Sequence, residues 1–206
     1  MYLFFPSIED NELEVSWDNK KKKINRNGDF LDLTGIPPTQ SFTLYCSGNA
    51  LLTTSIKKLI HLEKNVKLIR GTTCLDVWMK QDTLYPVRPT STFYINDSQI
   101  CLFAELIGVQ HDCPVIVTWH HEGVLVHGSM ATIPVSKDLH QFHRTYAAGF
   151  YLNPEVSTGQ WMVTLHLVTG RELFQQKFQI LDRERLYYRP YNENYTRGRI
   201  FDERVE

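Results

Sequence analysis

The chain has 206 residues, 42% of them hydrophobic and 22% charged, with 22 basic and 23 acidic side chains and a formal net charge of −1. This is enough apolar material for a buried core in one domain or two small ones. It excludes a strongly basic whole-protein field of the kind that recruits nucleic acid or an anionic membrane. No run approaches the roughly 20 apolar residues that a membrane-spanning helix requires.

The opening, MYLFFPSIEDNELEV, starts apolar but meets Pro6 and then four acids, with no basic n-region and no small-residue cleavage site. It reads as a first edge strand rather than a secretory signal. From Glu12 to Trp17, Leu13, Val15 and Trp17 alternate with Glu12, Glu14 and Ser16. That period of two predicts a half-buried strand. Lys20, Lys21, Lys22 and Lys23 follow, then Arg26 and the turn signal Asn27-Gly28, together predicting an exposed hairpin loop. A functional reading makes these lysines a phosphate or acidic-partner contact. A solvated turn is the simpler account, because no aromatic residue interleaves them as single-strand binders require.

Phe42 to Cys46 predicts another strand, ended by Ser47-Gly48. From Asn49 to Lys64 the spacing changes: Leu52, Ile56, Leu59 and Ile60 follow a three-four rhythm, with Lys57, Lys58 and His61 on the other side. This predicts a helix capped by Ser47 or Asn49 and closed at Asn65. Thr53 and Thr54 leave a β alternative open. Val66 to Ile69 and Thr73 to Met79 predict strands around Gly71, and two prolines with small polar residues mark a linker over 82–92.

Beyond the linker the β signal becomes dense. Ile100, Leu102, Ala104 and Leu106 alternate with Cys101, Phe103 and Glu105. Val115, Val117 and Trp119 oppose Ile116, Thr118 and His120, and Gly123 marks a turn into Val124–Val126. Trp161, Val163, Leu165 and Leu167 oppose Met162, Thr164, His166 and Val168, with a hairpin loop at Thr169-Gly170-Arg171. Short strands at this spacing, broken by glycine turns, predict a sandwich. The expected organisation is a β-rich N-terminal region with one helix (1–81), the linker (82–92), a sandwich (93–181) and an extended arm (182–206).

Six of the eight histidines lie between His111 and His143. Zinc prefers imidazole and carboxylate ligands, so His120, His140 and His143 form a candidate metal set. His120 and His166 share strand faces with Thr118 and Thr164, which allows both on one outer sheet surface. Against a metal, His120 and His121 are adjacent and point to opposite faces of a regular strand, and there is no HExxH. No nucleophile elbow or phosphate-binding glycine loop can be read either. The four cysteines show no CxxC pair and no metal-like spacing. A reducing compartment fits them best, so the expected location is cytoplasmic, or extracytoplasmic if a native leader precedes the sequence.

The last 25 residues hold six arginines, six acids and four tyrosines but few aliphatics. Such a segment predicts an arm with little to bury. Arginine and tyrosine dominate interface hot spots, which makes Arg185, Tyr188, Arg189, Tyr191 and Arg197 the candidate partner-binding residues. An arm folded back on its own sandwich is the competing reading.

The strand Leu102-Phe103-Ala104-Glu105-Leu106, then Thr118-Trp119 with Gly123 and Val124-Leu125-Val126, is followed by His143-Arg144-Thr145-Tyr146-Ala147-Ala148. Gly159-Gln160-Trp161-Met162-Val163 with Gly170, Leu173 and Phe178 closes the set. Over about 94–181 this run resembles a bacterial family known as domain of unknown function number 2914. The resemblance implies an immunoglobulin-type sandwich, commonly an extracytoplasmic tail of a membrane-anchored protein, and carries no catalytic residue. The expected fold is therefore mainly β, with a C-terminal immunoglobulin-like antiparallel β-sandwich preceded by a smaller β-rich region with one helix. The expected function is a non-catalytic interaction or scaffold module with no cofactor, docking another protein or itself. Two alternatives stand beside it: nucleic-acid association through Lys20–Lys23, Lys57, Lys58 and the C-terminal arginines, and a metal-dependent hydrolase built on the histidines.

Overall fold

The computed structural model describes residues 2–4, 6, 13–23, 26–27, 30–46, 49–135, 141–152 and 156–183. The N-terminal region opens with β1 (Tyr2–Phe4), β2 (Leu13–Trp17), β3 (Lys20–Lys23), β4 (Arg26–Asn27) and β5 (Phe30–Asp32). It continues with β6 (Ser41–Cys46), β7 (Asn49–Ser55) and the helix α1 (Ile56–Asn65). These strands form a four-stranded sheet in the order β3-β2-β6-β7 and a small sheet β1-β5-β4.

The alternation in β2 buries Leu13 and Val15 against Phe42 and Leu44 of β6 and Leu52 of β7. Each full burial of such a side chain contributes about 1.5–3 kcal/mol. Two sequence expectations are corrected here. Lys20–Lys23 are not loop but strand: β2 recruits them as an antiparallel partner across the Asp18-Asn19 turn, where both residues have positive φ. The helix starts at Ile56 rather than near Asn49, because Asn49–Ser55 pairs with β6 and the β alternative prevails there. Ser55 is the N-cap, its side chain accepting from the Lys58 amide at 3.4 Å. Ile56, Leu59 and Leu62 form the buried stripe of α1.

The second region begins with β8 (Lys67–Lys80), β9 (Thr83–Pro89), β10 (Thr92–Tyr94) and β11 (Gln99–Ile107). It ends with β12 (Cys113–His121), β13 (Val124–Ile133), β14 (Arg144–Tyr151), β15 (Gly159–Leu167) and β16 (Glu172–Leu181). They make two sheets, β14-β11-β8-β9 and β10-β16-β15-β12-β13, packed face to face as a β-sandwich. Its core joins Ile100, Leu102, Ala104 and Leu106 of β11 to Val115, Val117 and Trp119 of β12 and Trp161, Val163 and Leu165 of β15. Trp119 is fully buried and meets Phe150 and Phe178 at ring-centroid distances of 5.2 and 6.1 Å.

The two strands expected around Gly71 are one continuous strand, β8, paired with β11. The expected linker at 82–92 holds β9. Pro86 and Pro89 are tolerated there because β9 is an edge strand, where a missing N–H costs no ladder bond. The sandwich is also not wholly antiparallel, since β10 runs parallel to β16.

The N-terminal core extends onto the outer face of the sandwich through Ile116 and Val168. The Phe4 amide donates to the Val168 carbonyl at 2.7 Å. Helix α1 closes the other seam, placing Leu62 in the sandwich core. Gly108, at φ +78°, lets the chain pass the end of α1, where a Cβ would sit 2.1 Å from the Asn65 carbonyl oxygen. Among the described residues no helix is long and apolar enough to cross a membrane.

Candidate functional site

Strand β13 is the outer rail of the five-stranded sheet. It is joined to β12 by a two-residue turn, Glu122-Gly123, both at positive φ, the geometry a tight hairpin demands. The turn is fastened to the start of β15. The Glu122 amide donates to the Gln160 carbonyl at 3.0 Å, and Glu122 Oε1 accepts the Gln160 amide at 3.0 Å. His121 Nε2 lies 2.9 Å from the Thr158 carbonyl and its ring packs 4.9 Å from Trp161. One side of β13 is thus held in register from Cys113↔Ile133 to His121↔Val124, with a bulge opposite the Trp119/His120 step.

The other side of β13 meets no further strand among those described. The strand reads VLVHGSMATI and contains no Lys, Arg, Asp or Glu. Val124 is 68% exposed and Val126 43%, large fractions for β-branched apolar side chains. An outer strand with partly apolar side chains and no Lys, Arg, Asp or Glu is a template for pairing with another strand.

The lysine edge has the opposite chemistry. All four side chains of β3 are exposed, with Lys21 Nζ 5.4 Å from the centre of the Tyr45 ring. Lys57 and Lys58 begin α1, directly after β7, so the two lysine groups lie at opposite edges of one sheet. Three interstrand spacings, about 14 Å, separate those edges. The structure does not merge the predicted nucleic-acid set into one patch.

The predicted metal set is divided as well. His120 lies on the outer face of the five-stranded sheet, in register with Met162 and beyond the Thr118↔Thr164 pair. His143 lies on the outer face of the other sheet, with its Nε2 2.9 Å from Glu105 Oε1 and Arg70 Nε 3.5 Å from the second carboxylate oxygen. With the core between them, His120 and His143 cannot share an ion. This corrects the sequence grouping; His140 lies outside the described residues. Among the described residues no three His, Cys, Asp or Glu side chains gather to hold a metal.

His120 and His166 do share the surface on which alternation placed them. Thr118 Oγ1, His120 Nδ1 and His166 Nδ1 are buried there without a hydrogen-bond partner. Phe4 packs 4.7 Å from the His166 ring, and Pro6 comes within 3.8 Å of the position a Gly128 Cβ would occupy. Burial pushes the His120 imidazole below its ordinary value. Burial is also the main cause at His166, reinforced by His120 and opposed by Glu172 and the Gly170 backbone.

The remaining cysteines described are thiols. Cys74 and Cys101 face each other across β8 and β11, and burial pushes the Cys113 thiol up to about 12. Arg185, Tyr188, Arg189, Tyr191 and Arg197, the predicted partner-binding residues, lie outside the described residues. Sequence reasoning also missed the β8–β9 hairpin, which exposes Trp78, Met79 and Tyr85 with the two rings 5.9 Å apart. Their alternation was visible in the sequence, but the prolines that follow masked the second strand.

No protein-family model matches this chain, and no curated protein matches it either.

Proposed function

We propose that the chain is a non-catalytic protein-interaction module of immunoglobulin-like type that docks its partner on the open edge of β13. The strand order supports the immunoglobulin-like reading. Strands β8, β11 and β14 take the places of A, B and E, and β12, β15 and β16 those of C, F and G, with β13 as C′. The buried Trp119 then falls on the C strand, where such sandwiches keep their core tryptophan. The resemblance to the bacterial domain family implies the same type of sandwich. Fold alone does not give function. The observation that carries the proposal is the ten-residue outer strand β13, free of Lys, Arg, Asp and Glu, with its exposed valines.

The lysines of β3 have a sufficient explanation in edge protection, since charged side chains along an outer strand oppose pairing with another chain. Capture from a nuclease-treated lysate tests the proposal. The wild-type chain should retain a defined partner that Val126→Lys/Thr132→Lys loses and Trp78→Ser keeps. Retention that is indifferent to the β13 lysines would refute the docking edge.

A further inference from the structure

We propose that Cys74 and Cys101 are a redox site: a small-molecule disulfide oxidises the two thiols to an intrachain disulfide, entering as the β8–β9 hairpin lifts. The two residues are Cα partners in the antiparallel β8–β11 ladder. Partners of that kind stand about 4.5–5.5 Å apart at Cα, inside the roughly 4.4–6.8 Å that a disulfide spans, so the bond needs no change of register. Both side chains lie on the face turned away from the sandwich core, in a small cluster with Phe103. The Cys74 thiol already reaches across to the other strand, donating to the Cys101 carbonyl at 3.7 Å. Cys113, the third thiol described, is buried in the sandwich core with no second cysteine in that cluster.

The pair forms the final rung of the β8–β11 ladder. Beyond it, among the described strands, β8 pairs with β9 alone, and Val77 and Leu84 of this hairpin pack against the thiol cluster. Cys74 is 0% and Cys101 3% exposed, so an oxidant meets them only when the hairpin moves. The hairpin is held down by the Leu84 amide, which donates to Thr145 Oγ1 at 2.8 Å, and by Gln99 Nε2, which donates to Asp76 Oδ1 at 3.0 Å. The Cys101 thiol holds that of Cys74 below its ordinary value, helped by the Asp76 and Val87 backbone and opposed by burial and the Asp76 carboxylate. Cys74 is therefore the attacking group. Its thiolate attacks one sulfur of the small disulfide and expels a thiolate. Cys101 then loses its proton, attacks Cys74 Sγ of the mixed disulfide and expels the second thiolate. Two electrons pass to the small molecule, and the two cysteine protons end on its released thiols.

The test gives excess glutathione disulfide to the folded full chain, with and without Cys46→Ser, then quenches in acid, unfolds, alkylates and weighs it. Both chains should lose two hydrogens, yield a Cys74–Cys101 cross-linked peptide and keep an alkylated Cys113. Cys101→Ala should stop at the first step and hold one glutathione on Cys74. Thr145→Val, which takes the acceptor from the Leu84 amide, should speed cross-linking about two- to tenfold, the range set by one lost hydrogen bond. A chain that keeps both thiols, a cross-link that forms only in urea, or a Cys101→Ala chain that takes up no glutathione at Cys74 overturns the proposal. A Thr145→Val rate equal to that of the wild type overturns entry through the hairpin.

Discussion

Strands β3 and β13 occupy the same position, the outer rail of a sheet, and carry opposite chemistry. One presents four exposed lysines; the other presents a run without Lys, Arg, Asp or Glu and with two exposed valines. Both expose a row of main-chain groups that another chain can pair with, and only one is guarded. Position in a sheet creates the possibility of pairing; the side chains on the rail decide whether it is used.

The comparison is broken most completely by removing what holds β13 flat. Trp119 anchors β12, the strand directly behind β13, and Trp119→Ala should destabilise the fold by about 3–5 kcal/mol by the usual cost of truncating a buried aromatic. Denaturant titration measures this, and a loss under about 1 kcal/mol would show that the core does not depend on this ring. Gly108→Ala should cost more than about 1 kcal/mol, because it forces a side chain into a left-handed backbone and onto the Asn65 carbonyl. That change loosens the seam between α1 and the sandwich, and with it the body that carries both edges.

Acid should act next, on the outer face beside β13. The His120 and His166 imidazoles are held below the value of about 6.5 they have in the unfolded chain. Below that pH the unfolded chain binds more protons than the folded one, so stability is full above about 6.5 and declines as pH falls toward the folded values. Unfolding midpoints between about pH 8 and pH 5 should show this decline, and His166→Gln should flatten it. Midpoints that rise on acidification would contradict the burial argument. The smallest effect on stability and the sharpest on behaviour should come from Lys21→Val/Lys23→Val. Stability should move by no more than about 0.5 kcal/mol, while light scattering reports new self-association from the unguarded β3 edge.

Much of the sandwich was legible because alternate residues of β11, β12 and β15 form its core, although the opposite faces of β11 and β12 are largely buried as well. The errors fell where partners override local preference. Lys20–Lys23 have no intrinsic reason to be a strand and become one because β2 lies beside them. Asn49–Ser55 has apolar spacing compatible with a helix, but β6 captures it. The prolines of β9 imitate a linker because an edge strand tolerates them. Alternation placed His120 and His166 on one surface correctly. It held no information about His143, whose sheet is fixed by the pairing of β14 with β11. The outer place of β13 was unreadable for the same reason: the sequence predicts a strand at Val124–Val126, and only the sheet order shows that no further strand pairs with it among the described residues.

Amide hydrogen exchange of the chain alone and bound to its captured partner tests the account most directly. Amides of β13 that face β12 should be protected in both, while those on the outer side of His127–Ile133 exchange quickly in the chain alone and slow on binding. The amides of β3 should not change. Outer-side β13 amides that stay fast in the complex, or protection that appears on β3 instead, would contradict the proposal that β13 is the docking edge.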